Sequence, residues 1–137
     1  MAQDAIHRSW EVDDQIVYYH GSFSGDGAAG VANEEGAAVT IAKGAGTGAY
    51  SVTLDDPSGY ARPVDILAVH ATIEDRNGAL TLSTYVVHPY SINQATRTIL
   101  FKVTDTGSDA AAPALDDLGT GRTIHFTIVT RKSLAAQ

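Results

Sequence analysis

Short segments in which large apolar residues alternate with small or hydroxyl-bearing residues recur along this chain. In the clearest one, residues 49–54, Tyr50, Val52 and Leu54 occupy alternate positions with small or hydroxyl-bearing residues between them. Successive side chains of a β-strand point to opposite faces, so this segment has one apolar and one polar face. No segment keeps a helical period over the ten or more residues that a helix needs. The pattern therefore predicts β-strands and no helix of ordinary length.

Clusters of glycine, aspartate, asparagine and proline separate these segments and predict the turns. The strongest predicted hairpin joins residues 66–74 to residues 80–87 across Asn77-Gly78, because both turn residues tolerate a positive φ. A second predicted hairpin joins residues 37–42 to residues 50–54 across the glycine cluster at 44–48.

Three further segments alternate in the same way and predict strands: residues 16–23, 98–104 and 123–130. Residues 107–121 collect alanine, glycine and aspartate, which predicts a long loop with one helical turn near Ala114-Leu115. Seven to eight short strands with such turns are typical of an all-β fold, either an antiparallel β-sandwich or a jelly-roll-like barrel.

The length of 137 residues predicts one domain with a single hydrophobic core. We assign residues 15–131 to the β-sandwich domain. Residues 1–14 mix charged and apolar residues without a period and predict a flexible N-terminal arm, and residues 132–137 predict a C-terminal tail.

Composition excludes several classes of partner and crosslink. The chain has 9 Lys and Arg against 16 Asp and Glu, a net charge of −7 that opposes binding to nucleic acid phosphates. It has no cysteine, so disulfides are excluded. No apolar run approaches the roughly 18 residues that span a bilayer, and the first residues do not resemble a signal peptide. We expect a soluble protein made in a cytoplasm, with neither nucleic acid nor membrane as partner.

The residues that carry chemistry form no recognisable catalytic or metal-binding motif. His70 and His88 lie in or beside the predicted hairpin, where a surface histidine is the simpler interpretation and a ligand or catalytic role is the alternative. The aspartate pairs at 13–14, 55–56 and 116–117 fall at predicted turns, with a cation between loops as the alternative. The glycine cluster at 44–48 precedes a strand rather than the helix of a phosphate-binding loop. We predict no enzymatic activity, no cofactor and no metal site.

Aromatic residues are the best candidates for a binding surface, because they combine large apolar area with a polar tip. Tyr18, Tyr19, Tyr85 and Tyr90 lie on predicted strands or beside them, where membership of the core is the simpler interpretation and an exposed contact surface is the alternative. Trp10, in the arm, is a natural anchor for a contact with a partner. Our interface candidates are Trp10, Tyr18, Tyr85 and Tyr90.

One stretch of the chain resembles a known class of protein. Residues 36–43 read Gly-Ala-Ala-Val-Thr-Ile-Ala-Lys, and the glycine cluster that follows leads to Tyr-Ser-Val-Thr-Leu at 50–54. This resembles the small β-sandwich proteins of tailed bacteriophage particles, in which a glycine-bounded strand carries a Thr-Val-x-Arg-like run and a glycine turn leads to Tyr-x-Val-x-Leu. The segment Tyr-His-Gly-Ser-Phe at 19–23 is similar to openings of that kind.

The resemblance implies a virion protein of the capsid decoration, or cement, type. Such a protein is expected on the capsid exterior, often as a homotrimer, where it binds the major capsid protein through loops or an N-terminal arm and stabilises the head. The alternative is a receptor- or carbohydrate-binding β-sandwich of a head fibre or tail tip. An exposed platform of Tyr60, Tyr85 and Tyr90 would favour that alternative.

Overall fold

The computed structural model describes residues 16–26, 30–55, 64–75, 85–105 and 114–132. These residues form nine strands and no helix: β1 Ile16–Gly25, β2 Val31–Gly36, β3 Val39–Lys43, β4 Ala49–Leu54, β5 Val64–Asp75, β6 Tyr85–Asn93, β7 Thr98–Asp105, β8 Ala114–Leu115 and β9 Arg122–Lys132. The predicted arm and Trp10 lie outside the described residues, as does the tail beyond Lys132.

The strands form two antiparallel sheets that face each other as a β-sandwich, which confirms the predicted fold class. The first sheet has the strand order β2-β1-β9-β5, and the second has the order β3-β4-β7-β6 with the two-residue β8 beside β7. Edge strand β2 lies near β3 on one side of the sandwich, and edge strand β5 lies near β6 on the other. Neither sheet closes into a barrel within the described residues.

The core lies between the sheets and is built from the alternate apolar positions of the strands. Phe23 contacts Tyr50 at 5.4 Å between ring centroids, and Phe126 contacts both Phe23 and Phe101 at 6.4 Å. All four side chains are buried. Aromatic pairs at such separations add to the stability that apolar burial supplies, so these rings join β1 and β9 of the first sheet to β4 and β7 of the second.

Most predicted strands are confirmed, including the hairpin of β3 and β4 across the glycine cluster. The prediction missed β2, whose sequence Val-Ala-Asn-Glu-Glu-Gly does not alternate because it is an edge strand with mostly exposed side chains. The predicted helical turn near Ala114-Leu115 was wrong. These two residues form β8, whose backbone pairs with Thr104 and Asp105.

The prediction that residues 66–74 pair with residues 80–87 across Asn77-Gly78 was wrong for the described part of these segments. The turn and residues 76–84 lie outside the described residues, but Tyr85, Val86 and Val87 pair with β7 of the second sheet. The described part of β5 pairs instead with β9, in the first sheet. A turn signal predicts a reversal of the chain but does not determine which neighbour each strand edge takes.

Residues 116–119, which we call the strap, close one end of the core. Leu118 in the strap is 1% exposed and belongs to the core cluster. Its backbone lies directly against Gly25, since a Cβ placed on Gly25 would fall 1.5 Å from the Leu118 carbonyl oxygen. Only a glycine at position 25 permits this approach of the two backbones.

Replacing Gly25 with alanine should therefore displace the strap and destabilise the fold. We expect Gly25→Ala to lower the free energy of unfolding by about 3 kcal/mol, the upper part of the range for overpacking, because the clash is with backbone. Gly119→Ala is the matched control, since its added Cβ would meet only the end of the Arg122 side chain at 3.2 Å. Urea denaturation of both variants measures the difference, and equal stabilities would contradict the role of Gly25.

Candidate interaction surfaces

Strap residue Asp117 is held by donors from the β3–β4 hairpin. Its Oδ1 accepts a hydrogen bond from the Gly48 N–H at 2.7 Å and lies 3.1 Å from Lys43 Nζ. The Gly48 hydrogen bond and the Lys43 ammonium lower the pKa of Asp117. Next to it, the Leu118 N–H donates to the buried Tyr50 hydroxyl at 2.7 Å, and burial raises the pKa of Tyr50.

The other strap carboxylate, Asp116, binds Tyr85 of β6. The Tyr85 hydroxyl donates to Asp116 Oδ2 at 2.7 Å, and the Arg122 guanidinium lies over the Tyr85 ring at 3.9 Å from its centroid. The hydrogen bond to Asp116 raises the pKa of Tyr85 to about 12. Both carboxylates of the predicted pair at 116–117 thus accept hydrogen bonds from protein groups that fix the strap.

Because of the Tyr85–Asp116 hydrogen bond, the free energy of unfolding should fall as the pH becomes alkaline. The pKa of Tyr85 is about 12 in the folded protein against 10.0 for an unperturbed tyrosine, so this stabilisation is complete below pH 10.0 and is lost as the pH rises to about 12. We expect Tyr85→Phe to lower the free energy of unfolding by about 1 kcal/mol at pH 7 and to reduce its decline between about pH 10 and pH 12. Urea denaturation at each pH tests this, with the exposed Tyr18→Phe as control. Parallel pH profiles for the two variants would contradict the assignment.

The outer face of the first sheet carries Tyr18 and three histidines. Tyr18 is 59% exposed, and its ring is parallel to that of His20 at 6.2 Å. His20 Nδ1 lies 3.0 Å from Thr127 Oγ1, and His70 occupies the paired position on the other side of Thr127. His125 Nε2 lies 2.6 Å from Glu74 Oε2. Among the described residues, no three metal-ligating side chains are grouped to hold a metal ion. This face is a broad polar surface with one large exposed aromatic ring.

The outer face of the second sheet presents Tyr90, at a β-bulge in β6. The register of β6 against β7 shifts between Pro89 and Ser91, which leaves Tyr90 as the extra residue. Lys102 Nζ lies 4.4 Å from the centroid of the Tyr90 ring, a cation–π geometry. His88 Nε2 lies 3.2 Å from Thr104 Oγ1 on the same face.

A third surface lies on the side of the sandwich where β5 and β6 form the two sheet edges. We call Leu67, Tyr90 and Ile92 the edge patch, and these side chains are 44–46% exposed. Leu67 is the extra residue of a bulge in β5, just as Tyr90 is in β6. Four of the six exposed large hydrophobic side chains among the described residues lie on these two strands. Tyr90 lies at the rim of this patch, beside Lys102 on the outer face of the second sheet. Exposed apolar side chains on two neighbouring sheet edges mark a candidate contact surface.

The side chain of Gln94 connects the two edges beside this patch. The Ile66 N–H donates to Gln94 Oε1 at 2.8 Å, and Gln94 Nε2 donates to the Ile66 carbonyl oxygen at 3.1 Å. The amide group thereby makes the two hydrogen bonds that a neighbouring strand would make with Ile66. These bonds place Leu67, the next residue of β5, close to the end of β6 where Ile92 lies.

The structure separates the predicted interface residues. Tyr18 and Tyr90 are exposed, on opposite sheets, whereas Tyr85 and Tyr19 pack against the core. Trp10 lies outside the described residues. Leu67 was missed because the bulge in β5 carries no glycine or proline. Ile92 was missed although Pro89, at the bulge in β6, was a usable signal, since proline within a strand is confined to edges and bulges.

Comparison with known proteins found no family model, no curated protein and no solved structure that matches this chain. Within the described residues there is no helix of the length and hydropathy needed to cross a membrane.

Proposed function

We propose that this chain is a non-enzymatic structural protein of a tailed-phage particle, namely a capsid decoration protein. It binds the major capsid protein on the capsid exterior, associates with itself as a homotrimer, and stabilises the head. The observation that carries the proposal is the distribution of exposed large apolar side chains over a two-sheet sandwich: Tyr18 on one outer face, and Leu67, Val86, Tyr90 and Ile92 along β5 and β6.

The polar side chains of the strap and of Gln94 stabilise the fold, which agrees with a binding role for the exposed side chains. Asp116, Asp117, Lys43 and Tyr85 fix the strap, and Gln94 joins the two sheet edges. These interactions stabilise the sandwich itself, while the exposed rings are left for contact with a partner. Aromatic side chains supply much of the binding energy of protein interfaces.

The phage assignment is supported by the sequence resemblance over residues 36–54. That stretch forms β3, the glycine turn and β4, so the similarity coincides with one complete hairpin of the sandwich. On a capsid lattice, each contact can be small, because symmetry repeats it and self-association adds avidity.

Co-sedimentation with capsid shells tests this function. Shells assembled from the major capsid protein of the same source are mixed with the purified chain, and we expect saturable binding and a higher shell melting temperature. Tyr18→Ser should weaken binding by about 1–2 kcal/mol, roughly tenfold in Kd. His88→Ser on the opposite face is the matched control. A chain that stays monomeric and remains in the supernatant at every concentration would contradict the proposal.

A glycan-binding module is the second candidate, and the exposed Tyr90 beside Lys102 is the observation that favours it. Tyr85 does not share a platform with Tyr90, since Tyr85 packs against the core while Tyr90 lies beside the outward-facing Lys102. Tyr60 lies outside the described residues. A glycan array should show hits that Tyr90→Ala abolishes and Tyr18→Ala retains, and an array without hits would dismiss this candidate.

A further inference from the structure

We propose that the edge patch is the docking site of the chain's own N-terminal segment, residues 1–15, with Trp10 packed on Leu67 and Ile92. The inference goes beyond the proposed function, and it holds whether or not the partner of this protein is a capsid. It follows from where the described chain begins, how far the segment reaches, and which side chains the segment and the patch carry.

The described chain begins close to the patch. Ile16, the first residue of β1, pairs with Arg131 of β9, and Arg131 pairs on its other edge with Asp65 of β5. Ile16 and Asp65 are therefore two strand spacings apart, about 10 Å. Leu67 lies two residues along β5 from Asp65. The segment thus leaves the sandwich at the end that carries the patch.

The segment is long enough to place an aromatic ring on the patch. Trp10 precedes Ile16 by six positions, and six residues of extended chain span up to about 20 Å. This exceeds the separation of about 12 Å between Ile16 and Leu67 that two strand spacings and two residues along β5 give, so the chain has room to turn. Trp10 also has apolar neighbours in Ile6 and Val12. Packing the Trp10 ring on half-exposed Leu67 and Ile92 would remove apolar area of all three side chains from water, which favours docking.

The charges of the two surfaces are complementary. Glu11, Asp13 and Asp14 lie between Trp10 and the start of β1. The exposed Arg131 lies directly beside Ile16, with Asp65 on its other side, and Lys102 covers Tyr90 in the patch. Arg131 thus offers a charge opposite to these carboxylates at the point where the segment joins β1, and Lys102 offers a second one beside Tyr90.

The two bulges determine the form of this contact. Leu67 and Tyr90 each interrupt the regular register of an edge strand. A continuous added strand does not fit such edges, so the segment docks through side chains. Docking of this kind is reversible, and a partner that binds Trp10 must first compete with the patch.

Trp10 is the single tryptophan of the chain, so its fluorescence reports the docking directly. We expect the full chain to show a blue-shifted emission and weaker acrylamide quenching than a free peptide of residues 1–15. In the double variant Leu67→Ser/Ile92→Ser, the emission wavelength and the acrylamide quenching should shift toward the values of the free peptide. Val86→Ser, which alters an exposed apolar residue of β6 outside the patch, should leave both unchanged. Peptide-like values for the full chain, or equal values for the double variant and its parent, would overturn the proposal.

A crosslink provides a test that does not depend on fluorescence. Because the chain has no cysteine, Ser9→Cys/Ser91→Cys introduces one possible pair and keeps both Trp10 and the patch. We expect oxidation in dilute solution to give an intramolecular disulfide, since docking of Trp10 holds residue 9 near β6 and lets the two Cβ atoms reach the separation of about 4 Å that a disulfide needs. Ser9→Cys/Leu115→Cys is the control, because Leu115 pairs with Thr104, four residues along β7 from Leu100, the partner of Ser91.

Disulfides that form equally in both variants, or only between two chains, would overturn docking within one molecule. Quenching that depends on protein concentration would do so as well, because it would place the segment on a second copy. Shell binding is measured separately, so a failure of the docking model and a failure of the capsid proposal give different results.

Discussion

The closure of the sandwich depends on the approach of two backbones, at Gly25 and Leu118. The carbonyl of Leu118 occupies the space that any Cβ at position 25 would need, and this contact lets the Leu118 side chain cover the end of the core. Asp116 and Asp117 can reach Tyr85 and Gly48 only from a strap held at this depth. The strap is thus positioned by steric fit and fixed by hydrogen bonds.

This arrangement distributes the polar groups of the protein between two tasks. The carboxylates and hydroxyls at the strap connect β8 and the following residues to β3, β4 and β6, so they link segments that are distant in sequence. The outer faces retain simpler contacts, such as His20 with Thr127 and His88 with Thr104. An interaction surface can therefore change without altering the network that closes the core.

The sequence predicts the strands well because alternation is a local property. Apolar and polar residues alternate at 49–54 because one face of β4 packs against the core. β2 was not predicted, because most side chains of this edge strand are exposed and its sequence need not alternate. The pairing of β5 with β9 was not predictable, since its paired residues lie 47 to 68 positions apart in the sequence and no local signal selects one strand edge over another. For the same reason Tyr18 and Tyr90 could be named as candidates, while the bulge residue Leu67 could not.

The bulges of β5 and β6 also make these two sheet edges poor templates for aggregation. An exposed strand with a regular ladder of unpaired amides is a template on which further chains can add, and continued addition leads to fibres. Here the ladder of each of these two edges is broken at a single residue, and Gln94 occupies the two free backbone groups of Ile66. The molecule can thus expose apolar side chains along β5 and β6 without offering a growing end for cross-β assembly at these two edges.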